Sequence, residues 1–297
     1  MEKKILYLIL LITIITFTSC SSDDLSSTSV INIDKVDQTQ FDKWLNVNYV
    51  QPYNVEFKYR YEYNESDPDY YTVPAKYDEC VEMAHLIKYL CLESYDEVAG
   101  VNFTRANFPK LIYNIGEFEY RNNGTFILGT AEGGKKILLT GVNHLDEVKN
   151  SPEYMNEYYF KTIHHEFTHI LNQTKDYSTD FRQITGSGYV ADKWSTETYS
   201  VGYLQRGFIS AYSQHSHGED FAEMLSIYVC NSQAQWDAWM NEAGPDGASL
   251  IQEKLDIVKD YMKSSWNIDM DELRAAIQRR QADVSAGKIN LTDLTVK

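Results

Sequence analysis

The sequence predicts an α+β fold, on three observations. The first half holds short stretches of strand-like alternation beside a helical stretch, and from Pro152 onward helical periodicity dominates. The 297 residues are 43% apolar and 13% aromatic, with 23 tyrosines, a composition that fills an ordered core rather than a disordered chain. A chain of this length buries a substantial core without disulfide or metal staples, as one large domain or as a domain with smaller lobes.

The elements follow in order. Phe41, Trp44, Leu45 and Val47 give a short helix over 38–48, ended or turned by Pro52. Val55, Phe57, Tyr59, Tyr61 and Tyr63 alternate with polar residues, which predicts a half-exposed strand over 53–63. A polar turn with Pro68 and Pro74 leads to a helix over 75–95, where Val81, Ala84, Leu86, Tyr89 and Leu92 recur at helical spacing. His85 lies within that pattern and reads as a core or supporting histidine. Short strand signals over 108–115, 117–120, 125–128 and 136–139, separated by Asn122-Asn123-Gly124 and Gly133-Gly134, predict a compact meander, so a small mixed or antiparallel sheet. Helices are predicted over 153–173, 196–206, 219–230, 249–263 and 269–284. In the last, Leu273, Ala276 and Ile277 face the protein, and Arg274, Arg279 and Arg280 face water.

The net charge of −16, without a basic block, argues against nucleic acid as a partner, because phosphate binding needs locally concentrated positive charge. It also argues against electrostatic adhesion to an anionic membrane. Attachment has another source: Glu2-Lys3-Lys4, a short apolar run over 5–17, then Thr18, Ser19 and Cys20, the arrangement of a secretion signal. The run is shorter than the roughly 20 residues of a membrane span. Phe17-Thr18-Ser19-Cys20 resembles a bacterial lipobox, which implies a signal peptide over 1–19 and lipidation of Cys20, anchoring the chain to a lipid bilayer. An unlipidated signal peptide or an uncleaved anchor are the alternatives. Ser21-Ser22-Asp23-Asp24 resembles the acidic tether of surface-exposed Bacteroidota lipoproteins, so 20–34 reads as a flexible tether and the protein as outer-membrane-bound. Loss of 1–19 removes one acidic and two basic residues and leaves 42 acidic and 25 basic, hence 25 − 42 = −17. Cys80, Cys91 and Cys230 then remain and are expected as buried thiols, with Cys91–Cys230 or Cys80–Cys230 open as a bridge in an oxidising compartment. Residues 35–285 read as one domain, with room for two lobes about a cleft, and 286–297 as a tail.

The chemistry concentrates in His165-Glu166-Phe167-Thr168-His169. Four-residue spacing on a helix places His165 and His169 on one face, where two imidazoles can share a zinc ion. Glu166, about 100° around the helix, can address water at the metal without being a ligand. Ile163, Phe167 and Ile170 would fix the helix to the core, and His164, pointing elsewhere, suits packing. Two buried structural histidines beside a salt-bridged glutamate are the plainer reading. A catalytic zinc takes a third protein ligand and keeps a position open. Downstream, Glu219 and Glu223 share a helical face beside the small Ala222. Glu219 is the candidate ligand and Glu223 the acceptor that orients an imidazole. Ser216 with Glu219 also fits a helix-capping box, in which case His215 and His217 compete as ligands.

The two motifs, His165-Glu166-Phe167-Thr168-His169 and Glu219-Asp220-Phe221-Ala222-Glu223, resemble those of the zinc-binding metallopeptidase lipoproteins of the Bacteroidota, over most of 35–285. Around the active-site helices alone they also resemble the zinc peptidase domain of anthrax lethal factor. The resemblance implies a zincin-like fold, Zn2+ held by His165, His169 and Glu219, and Glu166 as general base. It also implies Tyr212, seven residues before Glu219, as a donor to the developing oxyanion. Lys175 stands where long-histidine metzincins have a third histidine, and the 50-residue spacing from His169 to Glu219 exceeds the compact thermolysin-like spacing. The implied reaction is hydrolysis of a peptide or protein substrate, and amide or ester cleavage on a glycan-linked substrate would use the same groups. An exported zinc-containing accessory or substrate-binding lipoprotein, working with outer-membrane nutrient-uptake components and without turnover, is the alternative.

Overall fold

The computed structural model describes residues 37–121, 126–132 and 136–296. The leader, Cys20, the 20–34 tether and the turns at 122–124 and 133–134 lie outside the described residues. Residues from Thr39 onward form one unit. Its architecture is α+β with a small sheet and a largely helical C-terminal half, as the periodicities predict.

In chain order the strands are β1 (Glu56–Lys58), β2 (Leu111–Asn114), β3 (Glu119–Tyr120), β4 (Phe126–Ile127), β5 (Gly129–Glu132) and β6 (Lys136–Leu139). The principal helices are α1 (Gln40–Leu45), α2 (Tyr77–Ile87), α3 (Glu93–Ala99), α4 (Val101–Asn107), α5 (Lys161–Thr174), α6 (His217–Cys230), α7 (Gln233–Trp266) and α8 (Met270–Ser285). The main sheet runs β1-β2-β6-β5. Its β1/β2 and β2/β6 pairs are parallel, and only β5 runs antiparallel, to β6. The sheet is therefore mixed, and the expected meander is corrected. Parallel neighbours need a crossover, and the long excursion from β1 to β2 supplies one through α2, α3 and α4. Antiparallel β3 and β4 make a separate two-stranded ribbon.

The 53–63 alternation is realised in burial but cut short as a strand. Val55, Phe57 and Tyr59 are buried, whereas Tyr61 and Tyr63 emerge into solvent. Left-handed Asn54 ends the preceding helical stretch just before β1. The 75–95 expectation becomes a continuous rod over 77–99, with π-helical Lys88–Leu92 between α2 and α3. Two helical stretches were illegible. Helix α4 has only one buried residue, Thr104, and so no strong apolar stripe. The first half of α7 is separated from the predicted 249–263 by Gly244, at φ 70°, and Pro245, which read as an end although the chain resumes as helix. The predicted 196–206 helix is reduced to a single 3-10 turn, Leu204–Arg206. Gly202 and Gly207 take left-handed φ there. The turns are tied instead by the Arg206 guanidinium donating to Tyr199 and Val201 carbonyls, and by Gln214 Nε2 donating to Tyr199.

In α8, Leu273, Ala276 and Ile277 are buried as predicted. Arg274 is not at the surface. Its guanidinium lies over the Tyr228 ring and donates to the Asn231 carbonyl and Gln233 Oε1. Nε and Nη1 are taken up, Nη2 is buried without a hydrogen-bond partner among the described residues, and the Tyr228 ring face under the guanidinium offsets part of that cost. Cys80, Cys91 and Cys230 are buried free thiols. No helix among the described residues is long and apolar enough to cross a membrane.

Candidate metal centre

Helix α5 is fixed by its apolar face. Ile163, Phe167, Ile170 and Leu171 are buried, and the Phe167 ring meets Tyr95, Phe103 and Phe108 at centroid separations of 4.9, 6.1 and 5.1 Å. His165 and His169 leave that core on one side. Helix α6 packs alongside, started by Ser216, whose hydroxyl accepts from the Glu219 amide at 3.3 Å. The cap expected from the sequence is thus half present. The Glu219 carboxylate does not turn back to the cap but points across to α5.

There it completes a tight cluster. Glu219 Oε2 lies 2.9 Å from His165 Nε2 and 3.3 Å from His169 Nε2, and the two Nε2 atoms are 3.0 Å apart. One turn on, Glu223 Oε1 accepts from His165 Nδ1 at 2.9 Å. Because that bond places the proton on Nδ1, a neutral His165 presents a lone pair at Nε2. Three electron-rich atoms then face one point, an arrangement that calls for positive charge. Burial disfavours a protonated His165, but Glu219 and Glu223 outweigh it and raise its pKa to about 9. Burial likewise opposes the Glu219 and Glu223 carboxylates, yet the two histidines hold Glu219 well below its usual range. Lys161, His165 and Ser210 bring Glu223 down to about 2. Tetrahedral zinc with ligands at about 2.0–2.1 Å implies ligand–ligand edges of roughly 3.3 Å. The 2.9–3.3 Å spacings and the two-imidazole, one-carboxylate donor set fit that shell. Among the described residues, His165, His169 and Glu219 form the group of this kind able to hold a metal ion.

The cluster floors a cleft of about 490 Å³. Leu128 and Gly129 line one wall, Trp194 and Tyr212 another, and Glu166 lies beside the two histidines. The wall strand comes very close to α5. A side chain at Gly129 would meet Thr162 Cγ2 at 2.7 Å and the Leu138 carbonyl at 2.6 Å, so only glycine allows this approach. His169 and Glu219 remain partly open to solvent, at 23% and 21% side-chain exposure, which leaves the cluster accessible from the cleft.

A model of the family described as "Putative zinc-binding metallo-peptidase" matches residues 34–271, most of the chain. The chain belongs to this family. A crystal structure of a "putative zinc-binding metallo-peptidase from Bacteroides caccae" is similar at 40% identity and a TM-score of 0.75, covering 90% of this chain and all of that one. No functionally curated protein matches. The fold is accordingly zincin-like.

Within this metallopeptidase-family chain the other histidines fall outside the cluster. His217 is held by Tyr177 Oη, 2.8 Å from its Nδ1, and His215 faces Asp192 at 3.4 Å. His164 points into the core, with Nδ1 3.1 Å from Tyr95 Oη, and burial lowers its pKa to about 4. His85 stacks on Trp44 at 4.1 Å. Tyr212 sits in a short turn over the cluster, its ring 6.0 Å from His165 and edge-on to Trp194 at 5.1 Å. Burial and the nearby Glu219 and Glu223 carboxylates keep its phenol protonated by pushing its pKa up. Sequence reasoning missed Ser210, Lys161 and Trp194. Ser210 Oγ donates to Glu223 at 2.6 Å, and Lys161 Nζ reaches the same carboxylate at 3.4 Å. Lys161 precedes His165 by four residues, and that helical spacing is the signal that could have found it. Ser210 comes from an irregular bend and Trp194 from the short 3-10 helix Ala191–Ser195, and neither carries one.

Proposed function

We propose that this chain is a zinc-dependent hydrolase that cleaves peptide bonds. One observation carries the proposal: His165, His169 and Glu219 converge at the floor of a solvent-accessible cleft, with Glu166 lining that same cleft. His165 Nε2, His169 Nε2 and Glu219 Oε2 would hold the ion, and Glu223 keeps the His165 ring in the tautomer that ligation requires. Zinc held there supplies Lewis-acid polarisation of a carbonyl and makes water more acidic. Glu166 takes the proton from the attacking water on a carboxylate oxygen and passes it to the departing amine. Tyr212 Oη, kept protonated, donates to the oxyanion as charge develops on it.

An accessory role without turnover would favour a closed ligand shell. The engagement of His217 by Tyr177, and the separation of His215 from the triad, support the open site. The export reading rests on the leader sequence: Cys20 is acylated and tethers the protein to the outer membrane, where nutrient-uptake components are candidate partners. Loss of membrane association on Cys20→Ser tests it.

The decisive experiment pairs metal analysis with turnover of a peptide library. Glu219→Ala should lose most bound zinc, and Glu166→Gln should keep zinc while turnover disappears. Full zinc retention by the first variant, or full activity of the second, would overturn the assignment.

A further inference from the structure

The cleft carries charge that hydrolysis as described does not use. Its lining includes two cations, Arg121 and Lys161, beside three carboxylates, Glu166, Glu219 and Glu223. Lys161 is engaged with Glu223 at 3.4 Å, and Glu219 faces the histidines. Arg121, just after β3, is solvent-exposed, and no hydrogen bond or ion pair joins it to another described residue. Three other arginines are paired with carboxylates, Arg60 with Asp42, Arg279 with Glu97 and Arg280 with Glu93 and Glu97, whereas exposed Arg182, which does not line the cleft, has no such partner among the described residues. Next to Arg121 the wall is apolar, formed by Phe126, Ile127 and Leu128. Phe126 is braced there by Phe118 at 4.8 Å and by the parallel Tyr158 ring at 6.4 Å. The wall is therefore a packed surface with one guanidinium that no described residue engages.

We propose that Arg121 is a specificity residue, and that the cleft takes substrates bearing a carboxylate near the reacting bond. This rests on the cleft being the substrate site of the hydrolase. A guanidinium presents paired N–H donors that match a carboxylate bidentately. The overall charge of −16 points the other way, since at long range it attracts cationic peptides. Distance decides between the two. Screening cuts off exposed charges beyond about 8 Å at physiological salt, so a bound substrate feels the cleft's own residues more than the rest of the surface. The carboxylate can be a Glu or Asp side chain or a chain terminus, and the same guanidinium reads either.

The test is binding, which needs no turnover. Three pools of fluorescein-labelled, C-terminally amidated octapeptides differ only in carrying one Glu, Gln or Lys at varied positions. Their affinities are measured by anisotropy for zinc-loaded E166Q and for E166Q/R121Q. A fourth pool keeps Gln but has a free C-terminus. The Glu or the free-terminus pool should bind at least about fivefold more tightly than the amidated Gln pool at low salt, with the ratio falling toward one as salt rises. In E166Q/R121Q the ratio should approach one while zinc stoichiometry stays unchanged. Whichever pool shows the preference identifies the source of the carboxylate. Equal binding, preference for the Lys pool, no binding by any pool, or a preference that survives R121Q overturns the proposal. Cleavage of these pools by the Glu166 form separates the two readings. Preference without cleavage removes the hydrolase and leaves the carboxylate site, whereas cleavage indifferent to the acid removes the site and leaves the hydrolase.

Discussion

Replacing Glu223 with glutamine isolates the group that orients the metal ligand without itself being one. Glu223 is nearly inaccessible, and its two oxygens serve His165 Nδ1 at 2.9 Å, Ser210 Oγ at 2.6 Å and Lys161 Nζ at 3.4 Å. Glutamine can still accept from His165 through its carbonyl. Its amide NH2 then faces a hydroxyl and an ammonium, both donors toward the wild-type carboxylate. The His165 bond loses its charge assistance, which roughly halves its strength, and the imidazole becomes a poorer donor to zinc. Loss of such an outer partner typically weakens metal affinity 10- to 100-fold, or about 1.4–2.8 kcal/mol. Lys161 is half-exposed and can turn to water, so the fold should survive. Zinc dissociation constants from competition with a chromophoric chelator, alongside circular dichroism of both proteins, give the comparison. A dissociation constant within about twofold of wild type in a folded variant would refute the orienting role, because mutations of such partners rarely cost less than tenfold.

Three further outcomes are expected. Tyr212→Phe should keep zinc and lower kcat by about 10²–10³-fold, as loss of an oxyanion donor does, and an unchanged kcat would return Tyr212 to a packing role. Lys254 and Asp220 form a buried pair at 2.6 Å, both fully inaccessible. Lys254→Met should therefore cost about 3–5 kcal/mol in urea unfolding by stranding the carboxylate, and a loss under 1 kcal/mol would show that Asp220 is satisfied otherwise. His164 should make the fold acid-sensitive. Burial lowers its folded pKa to about 4 from 6.5, so its contribution is complete above pH 6.5 and declines as pH falls toward 4. The loss is about 2–3 kcal/mol at pH 4.5, and His164→Phe should lack that part of the decline in urea titrations between pH 7.5 and 4.5.

What could be read from the sequence was whatever a helix repeats. His165 and His169, four apart, and Glu219 and Glu223, four apart, each announce a shared face. Both pairs meet across two adjacent helices, of which α6 opens with a recognisable cap at Ser216. Ile163, Phe167 and Ile170 name the buried side of α5 by the same periodicity. The sheet was less legible because its strands are four residues or fewer, too short for alternation to reveal whether neighbours run parallel. The 185–215 segment was least legible. Its shape comes from left-handed glycines and from side chains such as Arg206 and Gln214 reaching backbone carbonyls, and neither leaves a period in the sequence. Lys254 was equally hidden, because a lysine in an amphipathic helix reads as solvated until its partner on another helix is known.

Glu219 and Glu223 stand one turn apart on α6 and hold opposite nitrogens of the same imidazole. Four residues of helix rise about 6 Å, so that turn works as a calliper set to the width of one histidine ring. A one-residue insertion between the two glutamates would swing one jaw by about 100°, and sliding α6 along α5 would displace both jaws at once. Metal affinity in this protein should therefore report the register of two helices, and drift in that register should appear as lost zinc before it appears as lost helix.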